Sequence, residues 1–515
     1  MGKMLNIHKT ILVRIIGFLF LFCCLSVFFV SVALHLPYNS DHASILLEAK
    51  SILDGNIFLK GWTLSTVSYY TTEIPFFMIG ILLFGYSEKV IYLVTGISYA
   101  FLIIIILRLC SINDEGKFSF RNLIISFCFS LYIISLFSNW CLFSPVHIVS
   151  FAYCLCSIFI LKRLDKKISI RELFIYFLII IINFIGDTFS IYIWGIPIII
   201  IMLVKLIFEN NKLKYATILF TTILSIVLSQ IILLLIKQNG GFIVPGIEPK
   251  FVGYNDISNN LYLFFIGLFD LFSVDFFGQP IFSFNTAING IQLVGLVILI
   301  WAIIWSIKNI KKLDTVKQVL LAGLFINLLE YLLSDVAIWR GTVRYLLPTL
   351  IFGIFLILNF IMHSAWHQQR PLIMLLTSIV IAITLIPQMS LTRSDLPVSE
   401  LSSFLIEKHL INGYGPYWVA SITTVHSNET VKIRAVTSSD HKYIRPFIWL
   451  AENDWYNENA TFMIIDSTNV VEKPYNIDWK TAINTFGQPN KYYQIQNYEV
   501  LVWDRNISPD LFKNP

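Results

Sequence analysis

Two acidic residues follow the first long apolar run of the chain, and more apolar sequence comes after each of them. Residues 11–35 are almost continuously apolar, and the polar segment 38–43 that follows contains Asp41 and His42. Glu73 comes next, between a threonine pair and an Ile-Pro step. A carboxylate where membrane meets water is badly placed for packing, but it can take a proton from an alcohol within hydrogen-bond reach. These residues therefore indicate acid–base chemistry at a membrane surface.

Each of these residues also has a purely structural explanation. Ser40 or Asp41 could cap a helix that begins at His42. Glu73 could be the first-turn acid of a helix over 74–86, where it would complement the helix dipole. It could equally orient a substrate, hold a cation or adjust Asp41. His42 could orient Asp41 or donate to a phosphate, although an ordinary surface histidine is the simpler interpretation.

The composition indicates the class of protein that must position these residues. Of 515 residues, 56% are hydrophobic and 13% are charged, and the mean hydropathy is +0.73. A soluble domain carries roughly 25% charged residues. Apolar runs of about 20 residues, long enough to cross a bilayer, recur from residue 11 to residue 389. We therefore predict a polytopic helical membrane protein, and we expect no nucleic-acid partner.

The apolar runs predict about eleven transmembrane helices. They cover residues 11–35, 88–107, 122–141, 147–163, 172–186, 188–207, 215–236, 286–307, 318–334, 345–362 and 371–389. Lys and Arg collect in alternate loops, so the positive-inside rule places the N-terminus in the cytoplasm and the C-terminal region outside. The short apolar segment 74–86 is predicted to be a juxtamembrane or re-entrant helix, and 11–35 an uncleaved anchor rather than a signal peptide.

The sequence predicts two domains. Residues 1–389 would form the transmembrane domain, with 36–87 as its first external loop, and residues 390–515 would form a small extracytoplasmic domain. In this second domain we predict a helix over 399–410 and strands over 431–436, 461–465 and 498–503. None of the seven cysteines lies there, so no disulfide framework or zinc site is indicated. The predicted fold class is an all-α polytopic membrane protein with a small C-terminal α/β domain.

Two arginines and one aspartate are further candidates on the predicted outer side. Arg340 and Arg344 depart from the positive-inside rule, and a guanidinium can bind phosphate with two parallel hydrogen bonds. We favour phosphate binding for Arg344 more than for Arg340. The alternatives are snorkelling to lipid headgroups and pairing with Asp335. Asp187 lies at an outer turn between two predicted spans, where it is either functional or a cap on the span that begins at Thr188.

Several short stretches together carry a family resemblance. They are Ser40-Asp41-His42-Ala43, residues 49–56, Thr72-Glu73-Ile74-Pro75-Phe76-Phe77, Leu83-Phe84-Gly85 and Arg344-Tyr345-Leu346-Leu347-Pro348. They resemble the glycosyltransferase C-fold superfamily, and within it the protein O-mannosyltransferase and aminoarabinose-transferase type. In that type an acidic pair follows the first span. Here His42 stands at the second position of the pair and one proline follows Glu73, so Asp41 and Glu73 carry over and a second acid does not.

The resemblance implies a membrane glycosyltransferase that moves a sugar from a polyprenyl phosphate to an envelope glycan, lipid or protein. The reaction would take place at the outer face of the cytoplasmic membrane and invert the anomeric centre. Asp41 would be the general base and Glu73 its helper. The predicted substrate-binding residues are His42, Asp187, Arg340, Arg344 and Tyr345. A divalent metal is possible, with no ligands assigned.

Two alternatives without sugar-transfer chemistry remain open. A flippase or transporter of lipid-linked sugars would need polar groups through its spans and often an inverted repeat. The predicted spans are almost uncharged. A non-catalytic, membrane-anchored protein of envelope assembly would use the C-terminal domain to bind a partner.

Overall fold

We describe the fold from a computed structural model of the chain. It describes residues 2–111, 123, 143–246, 250–274, 276, 278–363, 396, 398–467 and 477–513. The chain divides into two compact units. The first contains Met1–Val32, Gly96–Ile231 and Ile247–Leu391, and the second contains Ala33–Thr95, Ile232–Gly246 and Thr392–Pro515. The second unit therefore combines residues of the first predicted external loop with those of the predicted C-terminal domain.

Helices dominate the described chain up to residue 363. They are α1 (Gly2–His35), α2 (Ser40–Leu53), α3 (Glu73–Phe84), α4 (Lys89–Cys110), α5 (Ile148–Lys166), α6 (Ile170–Gly186), α7 (Ile196–Phe208), α8 (Lys212–Gln238), α9 (Tyr254–Leu271), α10 (Phe284–Lys308), α11 (Thr315–Leu333) and α12 (Leu347–His363). A π-helical turn (Ile191–Gly195) precedes α7. Two 3-10 helices (Ile310–Lys312 and Arg340–Leu346) precede α11 and α12.

Seven helical segments in the described part of the chain are long and apolar enough to cross a membrane. They are Ile15–His35, Lys89–Cys110, Ile191–Phe208, Lys212–Gln238, Phe284–Lys308, Thr315–Leu333 and Arg340–Ile361. This confirms the prediction of a polytopic helical membrane protein, but the prediction of about eleven spans is wrong. Two of the predicted spans, 122–141 and 371–389, lie almost entirely outside the described residues.

Two more predicted spans, 147–163 and 172–186, correspond to helices that do not meet the requirements of a span. α5 ends in a turn that carries Arg163 and Lys166. α6 has 17 residues, and at about 1.5 Å per residue it is shorter than the ~30 Å hydrocarbon core of a bilayer. Apolarity alone therefore overestimated the number of spans. The short helix predicted within 74–86 is present as the 12-residue α3.

The first unit is held together by close helix packing and by polar contacts at helix ends. α5 and α6 pack against each other as a hairpin, and α11 packs against α5, α7 and α12. α1 and α4 approach closely at Gly96, because a Cβ atom there would lie 2.5 Å from the backbone nitrogen of Val30. Asn327 of α11 donates to the backbone oxygen of Tyr345 over 2.9 Å. This bond fixes the 3-10 helix Arg340–Leu346 against α11.

The second unit contains a mixed sheet with helices around it. Its C-terminal helices are α13 (Ser399–Glu407), α14 (Tyr417–His426) and α15 (Trp479–Phe486), with 3-10 turns Asn453–Asn457 and Ser508–Phe512. Its strands are β1 (Trp62–Thr63), β2 (Asn412–Gly415), β3 (Lys432–Thr437), β4 (Arg445–Pro446), β5 (Ala451–Glu452), β6 (Phe462–Asp466), β7 (Lys491–Ile495) and β8 (Tyr498–Val502). The three predicted strands are confirmed as β3, β6 and β8, and the predicted helix ends three residues early.

The main sheet has the strand order β4-β3-β2-β6-β8-β7. β2 is parallel to both β3 and β6, and the remaining pairs are antiparallel. Helix α14 connects β2 to β3, so Tyr417 begins a helix just after the carboxyl end of a central strand. The core beneath the sheet includes the buried side chains of Tyr414, Met463, Phe486 and Leu501.

Residues of the first predicted external loop join this α/β structure within the second unit. β1 pairs antiparallel with β5, with Trp62 opposite Glu452. The indole rings of Trp62 and Trp455 meet edge to face, with centroids 4.9 Å apart. The guanidinium of Arg434 lies 4.0 Å from the centroid of the Trp455 ring. Trp62 is fully buried, so the loop contributes to the interior of the unit.

Candidate functional site

Asp41 lies in the first turn of α2, in the second unit. The helix begins at Ser40, and Asn39 is its N-cap, because the Asn39 side chain accepts a hydrogen bond from the backbone nitrogen of His42 over 3.2 Å. The proposed caps, Ser40 and Asp41, are therefore wrong by one or two positions. With capping supplied by Asn39, the half-buried Asp41 carboxylate does not serve as the cap. A negative charge is favoured in this first turn by the helix dipole.

The structure adds a partner for Asp41 that the sequence did not reveal. The hydroxyl of Tyr417, the first residue of α14, donates a hydrogen bond to Asp41 Oδ1. The Tyr417 side chain is buried and meets the rings of Trp418 and Phe447 edge to face. Packing on these rings fixes the hydroxyl, so Tyr417 holds the carboxylate of Asp41 in one orientation.

The two helices that carry this pair are parallel and are joined by further hydrogen bonds. Ser40 Oγ donates to the backbone oxygen of Tyr417 over 2.6 Å, and Ser44 Oγ donates to Ser421 Oγ over 3.2 Å. A step of four residues along α2, from Ser40 to Ser44, matches a step of four along α14, from Tyr417 to Ser421. The helices therefore run in the same direction, with their N-termini side by side. Both ends carry partial positive charge. Asp41 therefore lies in the first turn of one of two helices whose positive ends adjoin.

Tyr417 was missed because its sequence neighbourhood suggested another role. The run 413–418 is rich in aromatic and glycine residues, a composition that suits sugar stacking but favours core packing of a small domain. The partner lies 376 residues away in the chain. The only local signal is Pro416, which precedes α14 as its N-cap and marks the turn from strand to helix.

His42 and Glu73 are the other predicted residues in the second unit. His42 is half-buried, and as the next residue of α2 it leaves the helix about 100° away from Asp41. Glu73 is the first residue of α3, and its side chain is fully buried. This position agrees with the interpretation of Glu73 as an acid in the first turn of a helix, where its charge complements the helix dipole. α3 packs against α2, so Glu73 and Asp41 belong to adjoining helices.

Glu48 is the second acid of α2, and nothing in the sequence singles it out. It follows Asp41 and Ser44 at helical spacing, on the side of α2 that faces α14. Glu48 is completely buried, and within the described residues neither of its carboxyl oxygens has a hydrogen-bond partner. Desolvation raises the pKa of Glu48 well above its ordinary value.

Asp187 lies in the first unit, at the end of α6, and is completely buried. Its Oδ2 is 2.7 Å from His147 Nδ1, and its Oδ1 accepts a hydrogen bond from the backbone nitrogen of Phe189 over 3.0 Å. Both interpretations of Asp187 are therefore compatible with the structure, since its carboxylate receives a capping bond and also lies within hydrogen-bond distance of a histidine side chain. His147 was not selected from sequence, because its partner is 40 residues away.

Aromatic rings connect this pair to two more predicted residues of the first unit. The His147 ring meets Phe189 with centroids 5.6 Å apart, and Phe189 meets Tyr345 at 6.3 Å. The guanidinium of Arg344, an exposed residue, lies 5.3 Å from the centre of the Tyr345 ring. His147, Asp187, Phe189, Arg344 and Tyr345 are called the ring cluster below.

Arg340 has a different environment in the same unit. Its guanidinium makes two hydrogen bonds to Asp270, from Nε to Oδ2 over 2.7 Å and from a terminal nitrogen to Oδ1 over 2.5 Å. The predicted alternative partner was Asp335, so the ion pair exists but with another aspartate. Two donors of Arg340 are thus already bound to a carboxylate, which weakens its candidacy for phosphate binding.

Metal binding has no obvious location in the part of the chain that the structure describes. Within it, no three His, Cys, Asp or Glu side chains group closely enough to hold a metal ion. A search of protein-family models and of curated protein sequences found no match to this chain. Function must therefore be inferred from the Asp41–Tyr417 pair and the ring cluster.

Proposed function

We propose that the protein is a membrane glycosyltransferase of the C-fold type. It transfers a sugar from a polyprenyl phosphate to an envelope glycan, lipid or protein at the outer face of the cytoplasmic membrane. The observation that carries this proposal is the Asp41 carboxylate, which follows the first candidate span and is held by Tyr417 at two adjoining helix N-termini. A carboxylate fixed in this way suits a general base better than a solvated surface residue does.

The chemistry assigned to Asp41 is a single displacement. The acceptor hydroxyl attacks the anomeric carbon, its proton passes to Asp41, and the bond between that carbon and the phosphate oxygen breaks. The sugar is inverted, and the polyprenyl phosphate leaves with the bonding electrons. Tyr417 is a positioning residue that keeps the carboxylate in place. Glu73 of α3 and His42 of α2, on helices that pack against each other, are proposed to orient the acceptor.

The donor phosphate needs cations, and the first unit offers them. Arg344 is exposed, and its guanidinium lies over the ring of Tyr345, a contact that restricts its orientation. We assign donor phosphate binding to Arg344 and Tyr345, a lesser part to Arg340, and an indirect part to Asp187 through His147. A divalent metal would add to this charge, and no ligands are assigned to it.

The location assigned to the protein follows from charge distribution. Lys and Arg lie in alternate loops of the sequence, so we propose a cytoplasmic N-terminus and an extracytoplasmic second unit. The residues proposed for catalysis would then lie on the outer side of the membrane.

The experiment is sugar transfer by the purified full chain, with a panel of radiolabelled polyprenyl-phosphate sugars and with Asp41→Asn as the variant. Asn keeps the size of Asp and can accept the Tyr417 hydrogen bond, but it cannot take a proton. Asp54→Asn is the matched control, because Asp54 ends the same helix and is exposed, with Lys50 as its partner at 2.5 Å. The proposal requires transfer by wild type and by the control, and its collapse in Asp41→Asn.

Two results would contradict the proposal. Equal transfer by wild type and Asp41→Asn would remove Asp41 from the mechanism. Movement of labelled lipid across the bilayer of proteoliposomes, with no transfer from any donor, would replace the enzyme with the flippase alternative.

A further inference from the structure

Helix α9 of the first unit packs on the protein with one face and exposes aromatic side chains on the other. Its buried residues recur at helical spacing and are Asn260, Leu263, Gly267 and Leu271. On the opposite face, Tyr262 is 63% exposed and Phe265 is 52% exposed. Large apolar side chains grouped on one surface indicate an interaction site. The exposed face of α9 therefore requires a partner.

Polar groups occur at both ends of α9, and its middle is apolar. Four exposed polar residues lie in its first two turns: Asn255, Asp256, Ser258 and Asn259. Residues 261–269 contain no charged side chain, and Asp270, the next residue, pairs with Arg340 at 2.5 Å. At about 1.5 Å per residue the apolar part is about 13 Å long, whereas the hydrocarbon core of a bilayer is about 30 Å thick. This part is too short to cross a membrane and suits a helix that lies along its surface.

α9 lies beside the ends of two candidate spans. The Asn260 side chain donates to the backbone oxygen of Ser334, just past the end of α11, over 2.9 Å. A Cβ atom at Gly267 would lie 3.1 Å from Cγ2 of Val343, so α9 also packs closely on the 3-10 helix that leads into α12. One candidate span, α11, ends here, and the next, Arg340–Ile361, begins here. Because a span ends where hydrocarbon gives way to headgroups, α9 lies at this boundary.

Further exposed aromatic residues lie around the same span ends. Phe251, which pairs with Ser334 in an isolated β-bridge, is 88% exposed. Tyr254, the first residue of α9, is 90% exposed, and Trp339, just before the 3-10 helix, is 55% exposed. Tyr and Trp are enriched at the membrane–water interface, because their rings are amphipathic. The aromatic rim, as we call it below, consists of Phe251, Tyr254, Tyr262, Phe265 and Trp339.

We propose that α9 is an interfacial helix whose aromatic rim inserts into the bilayer at the boundary between lipid headgroups and acyl chains. The helix anchors this end of the first unit in the membrane without crossing it. Lipid is the partner that fits, because exposed apolar residues of α11 reach the same level at Leu329 and Leu333. Asp270 and Arg340 neutralise each other beside the rim, so the contact requires no anionic headgroup.

The test is photocrosslinking of the full chain in nanodiscs of radiolabelled phosphatidylcholine. The photoreactive amino acid p-benzoylphenylalanine replaces Tyr262 in one variant and Phe265 in another, two exposed aromatic positions that can accept the larger ring. The matched control carries the probe in place of Asp256, which is exposed near the start of the same helix, about 180° around the axis from Phe265. After illumination, the variants at Tyr262 and Phe265 should each carry several-fold more lipid than the control.

Mass spectrometry of the lipid adducts measures how deep the helix lies. An interfacial helix forms its new bonds with the glycerol region and with the acyl carbons nearest to it. The zwitterionic lipid should be sufficient, and added anionic lipid should leave the yield unchanged.

Four results would overturn the inference. Equal lipid labelling at all three positions would show that α9 has no lipid-facing side. Crosslinks between two copies of the chain would make the rim a dimer interface, and crosslinks within one chain would assign it to internal packing. Adducts concentrated at the ends of the acyl chains would place α9 deep in the bilayer.

Discussion

The contact between Tyr417 and Asp41 gives the sharpest prediction, through the substitution Tyr417→Phe. The change removes one hydroxyl and leaves the buried ring, so the edge-to-face contacts with Trp418 and Phe447 remain. The Asp41 carboxylate loses the donor that fixes its orientation. We therefore expect transfer to slow without a large loss of structure.

The size of the effect follows from the type of bond. A hydrogen bond to an ionised group contributes about 1.5–3 kcal/mol. If Asp41 needs the bond to keep its position while it accepts the proton, the transition state loses this energy. Since about 1.4 kcal/mol corresponds to a factor of ten, kcat/KM should fall roughly 10- to 150-fold.

The assay is sugar transfer by purified wild type and variant under identical donor and acceptor concentrations, with kcat and KM measured separately. Tyr456→Phe is the matched control. Tyr456 is also a buried tyrosine of the second unit, and its hydroxyl donates to the backbone oxygens of Ala435 and Phe447 over 2.7 and 3.0 Å. The Tyr456→Phe variant should lose thermal stability and keep the transfer rate of wild type.

Two outcomes would refute the role of Tyr417. If Tyr417→Phe and Tyr456→Phe have the same rate as wild type, the hydrogen bond to Asp41 is structural and the carboxylate needs no fixed orientation. A fall in rate that only matches a fall in the folded fraction would refute it in the same way.

Three further predictions concern other parts of the structure. Glu48→Gln should be as stable as wild type near pH 4 and increasingly more stable at higher pH. The reason is that the buried carboxyl group of Glu48 has a raised pKa in the folded state. The free energy of unfolding of wild type therefore falls by about 1.4 kcal/mol per pH unit, from the unfolded pKa of about 4.3 up to the folded pKa. Thermal melting from pH 4 to pH 7 measures this, and a constant difference would contradict it. Arg344→Gln should raise KM for the lipid donor about tenfold, and Arg340→Gln, exposed and ion-paired, less than about threefold; equal effects would count against Arg344. Gly96→Ala should destabilise the protein by about 1–3 kcal/mol in a detergent melt because of the close α1 backbone, whereas Gly17→Ala, which meets nothing within 4 Å, should not.

Much of the fold could be predicted from sequence where a physical dimension fixes the pattern. The thickness of a bilayer sets the length of an apolar span, so the long runs at 11–35, 215–236 and 286–307 are present as long apolar helices. Alternation of side chains across a strand identified β3 and β8, and a short run typical of a buried strand identified β6. The count of spans failed at α5 and α6, since helix length and flanking charge decide whether an apolar run can cross.

The candidate site was predictable only in part. The position of Asp41 after the first span, and of Glu73 before an apolar helix, follows from the order of residues alone. The cap of α2 was misplaced, because Ser, Asp and Asn at adjacent positions can all cap a helix and local sequence does not choose among them. The structure assigns that cap to Asn39.

The pairs that give the site its chemistry were decided by tertiary structure alone. Tyr417 and Asp41 meet because two parallel helices pack with their N-termini together, and His147 meets Asp187 because α5 and α6 form a hairpin. The burial of Glu48 likewise depends on what packs around a helix. Composition and spacing can indicate which residues are able to do chemistry, but a hydrogen bond between distant residues exists only when packing brings its two atoms within about 3 Å of each other.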